Sequence, residues 1–409
     1  NNNGACRKAN PGVMCPSYRV TKDEQHVTRG RANTLRLALT GQLGPDAFTS
    51  DDLYDTLDLC VSCKGCRREC PTGVDMAKMK VEFLHHYRKR HGLRLKDRLI
   101  AYLPHYAPKA SKYAGLANLR NKSKLLQNWG EKLLGISAKR SLPEWRKDWF
   151  KGSEARLEGP EPADVVLFAD TFNRWFEPEN LRAAVKVLKA AGYRVVIPRS
   201  NDRKRPLCCG RTFLAAGLVD EARKEAIRTL EALRPHIEAG ATVVGLEPSC
   251  LFTFRDEYLA MLPGELTEIA SKSALLFEEF LQREHEAEKL KLKLKAIGKK
   301  KALVHGHCQQ KAFGAMGAVE TVLNLIPDFE VETIESSCCG MAGAFGYEPD
   351  HYDVSMKMAE LNLLPAVRQA ESETIIVADG TSCRHQIEDG SAREAVHVAR
   401  ILGMGITEN

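Results

Sequence analysis

Short apolar runs alternate with amphipathic stretches along the second half of the chain. Segments 163–169 and 193–198 are apolar and strand-like, and segment 179–191 between them has the spacing of a helix. This strand–helix–strand pattern predicts parallel strands joined by crossover helices. Strands and helices continue to about residue 247, which predicts an α/β unit over 161–283.

The same pattern starts again near residue 302. Strand-like runs lie at 302–305, 329–334 and 374–378. Helices are expected between the strands, up to residue 325 and over 356–370. A second α/β repeat is therefore predicted over 301–409. The charged stretch 284–300 separates the repeats, and we expect a helical linker there.

Residues 1–92 are predicted to form an α-helical head. Ser50 precedes an acidic pair and can cap a short helix that leads to Cys60. Beyond Pro71, an apolar stripe recurring every fourth residue predicts a longer helix that ends at Gly92. Residues 93–160 are basic and contain prolines, so short connecting helices are expected. The fold class is thus α+β and multidomain, with a helical head, a helical connector and a two-repeat body of parallel sheets.

Composition limits the class of protein. Of 409 residues, 44% are hydrophobic and 28% charged, which suits a chain with its own cores. No apolar run reaches the roughly 18 residues of a membrane helix, and the polar opening has no signal-peptide core. We expect a cytoplasmic protein without a transmembrane segment and without a nucleic-acid partner. A peripheral place at the inner face of the membrane is an alternative, since the net charge is +7.

Thirteen cysteines are the strongest chemical signal. Without a secretion signal, tightly spaced cysteines indicate metal or redox ligands rather than disulfides. Cys60, Cys63, Cys66 and Cys70, followed by Pro71, have the spacing C-x2-C-x2-C-x3-C-P. Such a loop holds three thiolates at the corners of an iron–sulfur cluster, and in two-cluster ferredoxins the fourth cysteine serves the other cluster.

Residues near this run complete the prediction. Gly65 lets the loop approach the cluster closely, and Pro71 ends the loop and can occupy the first turn of a helix. Cys15, which also precedes a proline, is expected to supply the fourth ligand to the cluster held by the first three cysteines of the run. One 4Fe–4S cluster is therefore predicted in the head.

A second head cluster on Cys6 and Cys70 is incompletely supported. The ferredoxin spacing requires a further cysteine at position 3, where the chain has Asn3. Cys6 as an unligated thiol is an equal alternative. Zinc prefers two separated Cys-x2-Cys pairs, and disulfides at this spacing would be strained, so both explain the run poorly.

Cysteines also mark corresponding positions in the two repeats. The pairs Cys208-Cys209 and Cys338-Cys339 each precede a glycine that frees the backbone to turn, and these glycines are Gly210 and Gly340. Two further correspondences are Cys250 with Cys383 and Asp170 with Cys308. Because ligands of parallel sheets bind beyond the carboxyl ends of the strands, the cysteines of each repeat are expected to meet in its loops.

The two repeats differ in the number of thiols. Four in the second repeat suffice for one 4Fe–4S cluster, and these are Cys308, Cys338, Cys339 and Cys383. The first repeat has only three thiols, on Cys208, Cys209 and Cys250. They could hold a cluster or simply pack as thiols, and the sequence leaves both interpretations open. Asp170 or Glu247 could add a ligand, but carboxylates suit iron–sulfur sites poorly.

Two histidines flank Cys308. His305 and His307 are candidates for a proton carrier or a hydrogen-bond donor to the cluster, and ordinary polar positions at a strand end are an equal alternative. His307 is retained among the candidate cofactor-binding residues, together with the glycines and the proline of the cysteine motifs.

The motifs resemble the Cys-Cys-Gly domains of three groups of proteins: the B subunit of heterodisulfide reductase, the C subunit of anaerobic glycerol-3-phosphate dehydrogenase, and lactate-utilisation proteins. A closer resemblance is to the C-terminal half of bacterial FAD-linked oxidases of the D-lactate and D-2-hydroxyglutarate dehydrogenase type. It covers nearly the whole chain. The segments that carry it are 3–7, 14–18, 29–32, 60–71, 169–173, 208–211 and 338–343.

The resemblance implies an oxidoreductase that passes electrons from a flavin to a quinone or protein acceptor. Its substrate would be a D-2-hydroxy acid such as D-lactate, glycolate or D-2-hydroxyglutarate. FAD would lie on a missing N-terminal part or on a partner protein, so the chain is expected to be a fragment or a separate subunit. Self-association is a further expectation.

The full Cys-Cys-Gly motif of these families has five cysteines, and this chain departs from it. Asp170 and Glu247 stand where the first repeat would carry cysteines, and Gly380 does so in the second. This departure favours electron relay over the disulfide chemistry of a five-ligand cluster. The alternative is a separate iron–sulfur protein that acts as a heterodisulfide or quinone reductase.

Overall fold

The computed structural model describes residues 4–8, 12–155 and 162–407. The position of Asn3 and the predicted boundary at 160/161 therefore lie outside the described residues. The head contains helices α1 Pro16–Thr21, α2 Thr28–Leu39, α3 Asp51–Asp58, α4 Gly65–Glu69 and α5 Met76–His91. Short 3₁₀ turns cover Ala5–Arg7, Glu24–His26 and Ala47–Thr49.

Capping side chains explain where the head helices begin and end. Ser50 accepts a hydrogen bond from the first turn of α3, as the sequence predicts. Asp75 caps α5 in the same way, and Gly92, with a φ of 76°, follows its last turn. Pro71 follows the end of the cysteine run, but its predicted place in the first turn of a helix was wrong: it lies exposed in the turn between α4 and α5, because Asp75 starts the helix.

Five helices follow the head, in agreement with the predicted short connecting helices. They are α6 Leu95–Ala101, α7 Leu103–Lys112, α8 Ala114–Ala117, α9 Leu119–Lys122 and α10 Lys124–Leu134. A 3₁₀ turn at Gly152–Ala155 precedes the body.

The first repeat contains a parallel four-stranded sheet in the order β2-β1-β3-β4. Its strands are β1 Val165–Phe168, β2 Val195–Val196, β3 Thr242–Gly245 and β4 Ala274–Leu276. Every residue of β1 is buried, as expected for a strand covered on both faces. The helices are α11 Thr171–Trp175, α12 Pro178–Ala190, α13 Arg211–Ala215, α14 Val219–Glu238, α15 Pro248–Arg255, α16 Glu257–Met261, α17 Glu265–Ser273 and α18 Phe277–Glu286.

The second repeat has the same topology, with a parallel sheet in the order β6-β5-β7-β8. Its strands are β5 Lys301–Val304, β6 Glu330–Thr333, β7 Ile375–Val377 and β8 Ala395–Val396. Its helices are α19 Cys308–Phe313, α20 Met316–Leu323, α21 Pro349–Glu360, α22 Leu363–Gln369, α23 Thr381–Ser391 and α24 Val398–Met404. The predicted α+β class with two parallel-sheet repeats is confirmed.

Two predicted helices differ in the structure. The helix expected over 356–370 is two helices, α21 and α22, because Asn362 leaves helical geometry with a φ of −149°. The linker is not helical beyond Glu286. Its leucines at alternate positions pack on the core as an extended segment, and Leu294 pairs with Ile406 in an antiparallel bridge. Alternation with a period of two fits extended backbone better than a helix.

The two repeats form one packed body. Helix α12 packs on α24, and α18 packs on α20. Buried side chains from both sheets, among them Leu167 of β1 and Val304 of β5, belong to one hydrophobic core. The backbone N–H of Thr381 also donates to the Glu247 carboxylate at 2.9 Å, next to the cysteine loops of both repeats.

Buried charges join the head to the first repeat. Lys64, between two cysteines of the head run, is 1% exposed and forms ion pairs with Asp256 and with Glu257, the latter at 2.6 Å. Lys78 reaches Asp256 at 2.7 Å, and Arg211 reaches Glu257 at 2.5 Å. A buried lysine is stable only if it is paired, so this network fixes the head loop on the body.

Candidate metal centres

Four head cysteines surround one cavity. Cys15, Cys60, Cys63 and Cys66 line a space of about 320 Å³, part of it open to solvent. Gly65 begins α4 against Val13: a Cβ at position 65 would lie 2.9 Å from the Val13 Cβ. Glycine at this position allows the close approach to Val13 and Met14, whereas the predicted approach of Gly65 to a cluster remains a prediction. The structure thus brings together the four cysteines expected to share the head cluster.

Hydrogen-bond donors point at these sulfur atoms. Arg31, fully buried, donates from Nη1 to Cys15 Sγ at 3.4 Å, and the Met76 N–H donates to Cys66 Sγ at 3.3 Å. Burial raises the pKa of Cys66 to about 12, and it raises the pKa of Cys63 with the help of neighbouring thiols.

Cys6 and Cys70 lie outside this cavity. Both belong to the hydrophobic core of the head, Cys6 buried and Cys70 half-buried. Burial raises the pKa of Cys70, but hydrogen bonds from Thr72 and from backbone N–H groups outweigh it and hold the pKa below its usual value. The Cys70 thiol therefore loses its proton more readily than an ordinary cysteine does.

Four thiols also converge in the second repeat, at the carboxyl ends of its strands. Cys308 begins α19 after β5, the Cys338–Cys339 pair follows β6, and Cys383 lies in the first turn of α23 after β7. The four thiols are close enough to shift one another's pKa values, Cys338 with Cys308 and Cys339, and Cys383 with Cys339. The loops expected to form one site do so.

These contacts change the pKa values of the four thiols in opposite directions. Donation by Cys338 lowers the pKa of Cys308 to about 6, and donation by Cys338 and Cys383 lowers the pKa of Cys339. The pKa values of the donors Cys338 and Cys383 are raised by the same bonds. Thiols that shift one another's pKa values in this way lie close together. One cluster could therefore bind all four sulfur atoms in place of their protons.

His305 rather than His307 faces the sulfur atoms. A ring nitrogen of His305 and the sulfur atoms of Cys339 and Cys383 all lie within 4.8 Å of one another. Nδ1 of His305 is engaged with Ser336 Oγ at 2.8 Å. Its Nε2 is buried and has no hydrogen-bond partner among the described residues. Burial lowers the pKa of His305 to about 4, so the ring is neutral at neutral pH.

His307 has a structural task instead. It caps α19, where its Nδ1 accepts from the Gln309 N–H at 3.2 Å. Its ring also fills the space beside Gly380, because a Cβ there would lie 2.5 Å from His307 Cδ2. The sequence places both histidines beside Cys308, but only the turn after β5 decides which ring faces the cysteines.

A half-buried cation lies at the second site. Lys311, one turn after Cys308, donates to the carbonyl oxygens of Ser336 and Ser337 at 2.6 and 3.2 Å. Burial lowers the pKa of Lys311, and the four thiols of the site oppose this by raising it. Sequence reasoning missed Lys311, although its spacing of three from Cys308 on a helix places both on one face.

The first repeat reproduces the backbone of this site. Gly210 and Gly340 have φ values of 81° and 86°. Each donates its N–H at 3.4 Å to the first sulfur of its pair, Cys208 or Cys338. Cys250 lies in the first turn of α15, as Cys383 does in α23. The three thiols are buried and hydrogen-bonded in series, from Cys208 to Cys209 to Cys250.

The surroundings of these three thiols are acidic. Although Cys209 donates to Cys250, burial and the carboxylates of Asp170 and Glu247 raise the pKa of Cys250 to about 12. Both carboxylates are already occupied: Asp170 caps α11 and bonds Asn173, and Glu247 caps α15. Among the described residues, one group of three ligand atoms lies within 4.8 Å of one another, and it consists of His305, Cys339 and Cys383 of the second repeat; neither the first-repeat thiols nor the head cysteines form such a group.

Helix capping corrects one sequence correspondence. Asp170 caps α11 as His307 caps α19, so Thr171 rather than Asp170 occupies the position of Cys308. The prediction that Asp170 replaces Cys308 was therefore off by one residue. The extra residue between β5 and its helix, compared with β1, hides this shift from a comparison of the sequences.

The head site and the second-repeat site are neighbours. Cys63 and Val13 of the head share one buried cluster with Cys308, Cys338, Cys339 and Cys383. Among charged groups, Cys308 has the largest effect on the pKa of Cys63. Ser337, next to Cys338, donates to the Val13 carbonyl oxygen at 2.6 Å. The two sulfur groups thus belong to one buried region in which the head and the second repeat are in contact.

Both sites fit iron–sulfur clusters by their donor chemistry. Each supplies four sulfur atoms, the ligand set of a 4Fe–4S cluster. The second also has an unpartnered His305 nitrogen and the Lys311 ammonium, which suit an anionic group. The three first-repeat thiols do not fit, because they have carboxylates as neighbours and no fourth thiol.

Comparisons with known proteins agree with this chemistry. A model of the 4Fe–4S dicluster domain matches residues 1–74, and a model of the cysteine-rich domain matches residues 303–388. The second match covers the repeat with four thiols. The chain therefore carries both kinds of domain, and iron–sulfur clusters are its cofactors.

Curated relatives extend the comparison to nearly the whole chain. D-2-hydroxyglutarate dehydrogenase of Pseudomonas putida is 26% identical over 98% of this chain and 42% of its own length. The glycolate oxidase iron-sulfur subunit of Escherichia coli is 25% identical over 92% of this chain and 90% of its own. The C subunit of the anaerobic glycerol-3-phosphate dehydrogenase of Escherichia coli is 26% identical over 72% of this chain and 73% of its own length.

The chain spans about two fifths of the length of the D-2-hydroxyglutarate dehydrogenases that it matches. It spans most of the length of the two separate subunits. The predicted resemblance to these groups is confirmed.

Proposed function

We propose that the chain is the iron–sulfur electron-transfer part of an FAD-linked dehydrogenase of a D-2-hydroxy acid. D-2-hydroxyglutarate, glycolate and D-lactate are the candidate substrates, and the names of two relatives favour the first two. FAD would lie outside the described residues, on another part of the protein or on a partner protein. A quinone or a protein would accept the electrons.

The observation that carries this proposal is the contact between the two sulfur sites. Cys63 of the head and Cys308 of the second repeat lie in one buried cluster, joined through Val13. Iron–sulfur clusters supply one-electron chemistry over a wide range of potentials. Residues that hold two such groups side by side, shielded from water, suit a relay rather than separate stores of iron.

We assign the residues as follows. Cys15, Cys60, Cys63 and Cys66 hold the head cluster, and Cys308, Cys338, Cys339 and Cys383 hold the second. Cys6 and Cys70 are candidates for a further head cluster, and the Asn3 position of that motif lies outside the described residues. Cys208, Cys209 and Cys250 pack as thiols.

The remaining features stay within the same proposal. We divide the chain into a head at 1–92, a connector at 93–160, repeats at 161–283 and 301–409, and a linker at 284–300.

Among the described residues, no helix is both long and apolar enough to cross a membrane. We place the protein at the inner face of the membrane as a peripheral protein, and self-association is a further element of the proposal.

The rival function, a reductase of heterodisulfides at a five-cysteine cluster, meets a steric obstacle. Position 380, where a fifth cysteine would stand, has no room for a side chain beside the His307 ring and Cys383 Sγ, which a Cβ would meet at 2.5 and 3.3 Å. The second site is therefore built for four sulfur ligands, as a relay requires.

Anaerobic stopped-flow mixing tests the proposal. The purified chain with its clusters is mixed with reduced FAD and then with a water-soluble quinone, while visible absorbance is followed. We expect bleaching by the flavin and recovery with the quinone, and slow recovery in Cys339→Ser. If reduced flavin leaves the wild-type absorbance unchanged, or if the quinone does not restore it, the relay function is contradicted.

A further inference from the structure

Helix α10 turns its apolar face outward. Leu125, Trp129 and Leu133 recur every fourth residue and are 67%, 60% and 68% exposed. The opposite face is polar or small and lies inward: Gln127 donates to the Asn121 carbonyl oxygen, and Gly130 lies against Arg120. A helix on a protein surface normally buries its apolar face, so this orientation requires an apolar or interfacial partner.

The exposed apolar surface continues beyond α10. Tyr113, Leu116 and Leu119, on the preceding turns and helices, are 62%, 72% and 43% exposed. Helix α10 packs chiefly on α9, which packs on α8, so these side chains belong to helices that are neighbours in space. We call the side chains of Tyr113, Leu116, Leu119, Leu125, Trp129 and Leu133 the apolar platform.

Positive charge surrounds the apolar platform. Segment 109–140 contains eight lysines and arginines and one acidic residue, Glu131. Five of the lysines flank the platform and are exposed: Lys109, Lys112, Lys122, Lys124 and Lys132. Glu131 is engaged with the Ala138 N–H at 2.6 Å. The surface is thus apolar at its centre and positive at its edge.

We propose that the apolar platform docks the protein on an anionic membrane surface. Leucine and tryptophan on one face, with lysines around them, are typical of helices that lie in the lipid interface. Lysine is depleted at protein–protein interfaces, which argues against a protein partner of this face. Helix α10 has 11 residues, about 16 Å, so it would lie in the interface along its length.

The platform gives a physical basis to the membrane location in the proposed function. The inference rests on the proposed function in one respect only, namely that the membrane surface is the inner one. Docking through leucines and lysines of the connector needs none of the cysteines. Loss of membrane binding with the brown colour intact therefore concerns the platform, whereas loss of the colour with binding intact concerns the clusters.

Sedimentation with lipid vesicles tests the proposal on the anaerobically purified chain with its clusters. We expect binding to vesicles rich in phosphatidylglycerol, weak binding to pure phosphatidylcholine, and weakening by salt. Brominated acyl chains should quench Trp129, and Trp129→Phe should lose that quenching, since the other three tryptophans lie outside the platform.

Matched variants separate the platform from general surface effects. Leu125→Asp with Leu133→Asp is expected to weaken binding by about 100-fold. Leu39→Asp is the control, because Leu39 is 68% exposed, as Leu133 is, but lies in the head. Lys124→Glu with Lys132→Glu is expected to weaken binding to the anionic vesicles by at least about fivefold per residue.

Three results would overturn the proposal. The first is absence of binding to anionic vesicles at low salt. The second is equal binding of the Leu125→Asp, Leu133→Asp variant and the Leu39→Asp control. The third is self-association through Leu125 and Leu133, seen by sedimentation velocity without vesicle binding, which would assign the platform to a second copy of the chain.

Discussion

Lys311 and His305 face the sulfur atoms of the second repeat, whereas the carboxylates of Asp170 and Glu247 lie beside those of the first. The backbone is nearly the same in both, since the glycine after each cysteine pair has positive φ and donates to the first sulfur at 3.4 Å. A cluster held by four thiolates is anionic. Charge, rather than backbone shape, therefore distinguishes a site that suits a cluster from one that does not.

The first repeat has a different task. Asp256 and Glu257, just after the helix of Cys250, bind Lys64 of the head cluster loop. The second repeat contacts the same loop through sulfur and apolar side chains. The first repeat thus positions the head by ion pairs. The second repeat contacts the head next to its own cluster site.

The largest difference between the repeats is expected in iron content. Cys339→Ser removes the sulfur that accepts two hydrogen bonds in the second site, and it should lower iron by about four atoms per chain. Cys209→Ser, at the same place in the first repeat, should leave iron unchanged. Iron and acid-labile sulfide after anaerobic purification measure both. Equal iron losses in the two variants would mean that both repeats hold clusters.

Neutralising the acids of the first repeat should weaken the fixation of the head. Asp256→Asn with Glu257→Gln leaves Lys64 buried without a charge partner, which is expected to cost about 3–5 kcal/mol. Urea unfolding under anaerobic conditions measures the change. The control Glu330→Gln removes an exposed partner of Lys301 and should cost less than about 1 kcal/mol. Similar costs would show that the buried network does not fix the head.

The acidic surroundings of the first repeat should appear in the pH dependence of stability. Burial and nearby Glu247 raise the pKa of Asp170 to about 6 from 3.8. Because the protonated form is favoured in the folded state, stability falls as pH rises from about 4 to about 6. Asp170→Asn should remove a decline on the order of 2 kcal/mol. Unfolding midpoints across this pH range test it, and an unchanged slope in the variant would contradict it.

The smallest expected effect concerns His305. A neutral imidazole that donates from Nε2 to cluster sulfur stabilises the reduced state, so His305→Gln should lower the potential of the second cluster by about 60 mV. The control is His385→Gln in the same repeat, where the ring contacts the Tyr347 hydroxyl. Potentiometric titration followed by electron paramagnetic resonance measures both. Equal shifts of the potential in the two variants would show that His305 does not donate to the second cluster.

Local spacing allowed the sequence to predict much of this molecule. The run from Cys60 to Cys70, the paired cysteines and the restart of the strand–helix pattern are short-range signals, and the structure places them as two sulfur groups and two equivalent sheets. The capping of α3 by Ser50 was predicted for the same reason. The assignment of ligands remains a proposal that iron analysis must test.

Long-range features were not predictable in this way. Cys63 and Cys308 are far apart in sequence, and no local pattern indicates that they meet. The ring of His305 faces sulfur only because of the turn after β5, and the leucines of the linker pack extended because the shared core and Ile406 lie beside them. The outward face of α10 has the same periodicity as a buried one, so only the packed structure reveals its exposure.

The contact between the two sulfur sites is tested most directly by magnetic coupling. With both clusters reduced in the anaerobic chain, electron paramagnetic resonance should show a broadened, fast-relaxing spectrum from two interacting spins. In Cys339→Ser the broadening that comes from the second-repeat cluster should be lost, so that only the spectrum of the head remains. Two independent, uncoupled signals in the wild-type chain would contradict the arrangement in which Cys63 and Cys308 face each other.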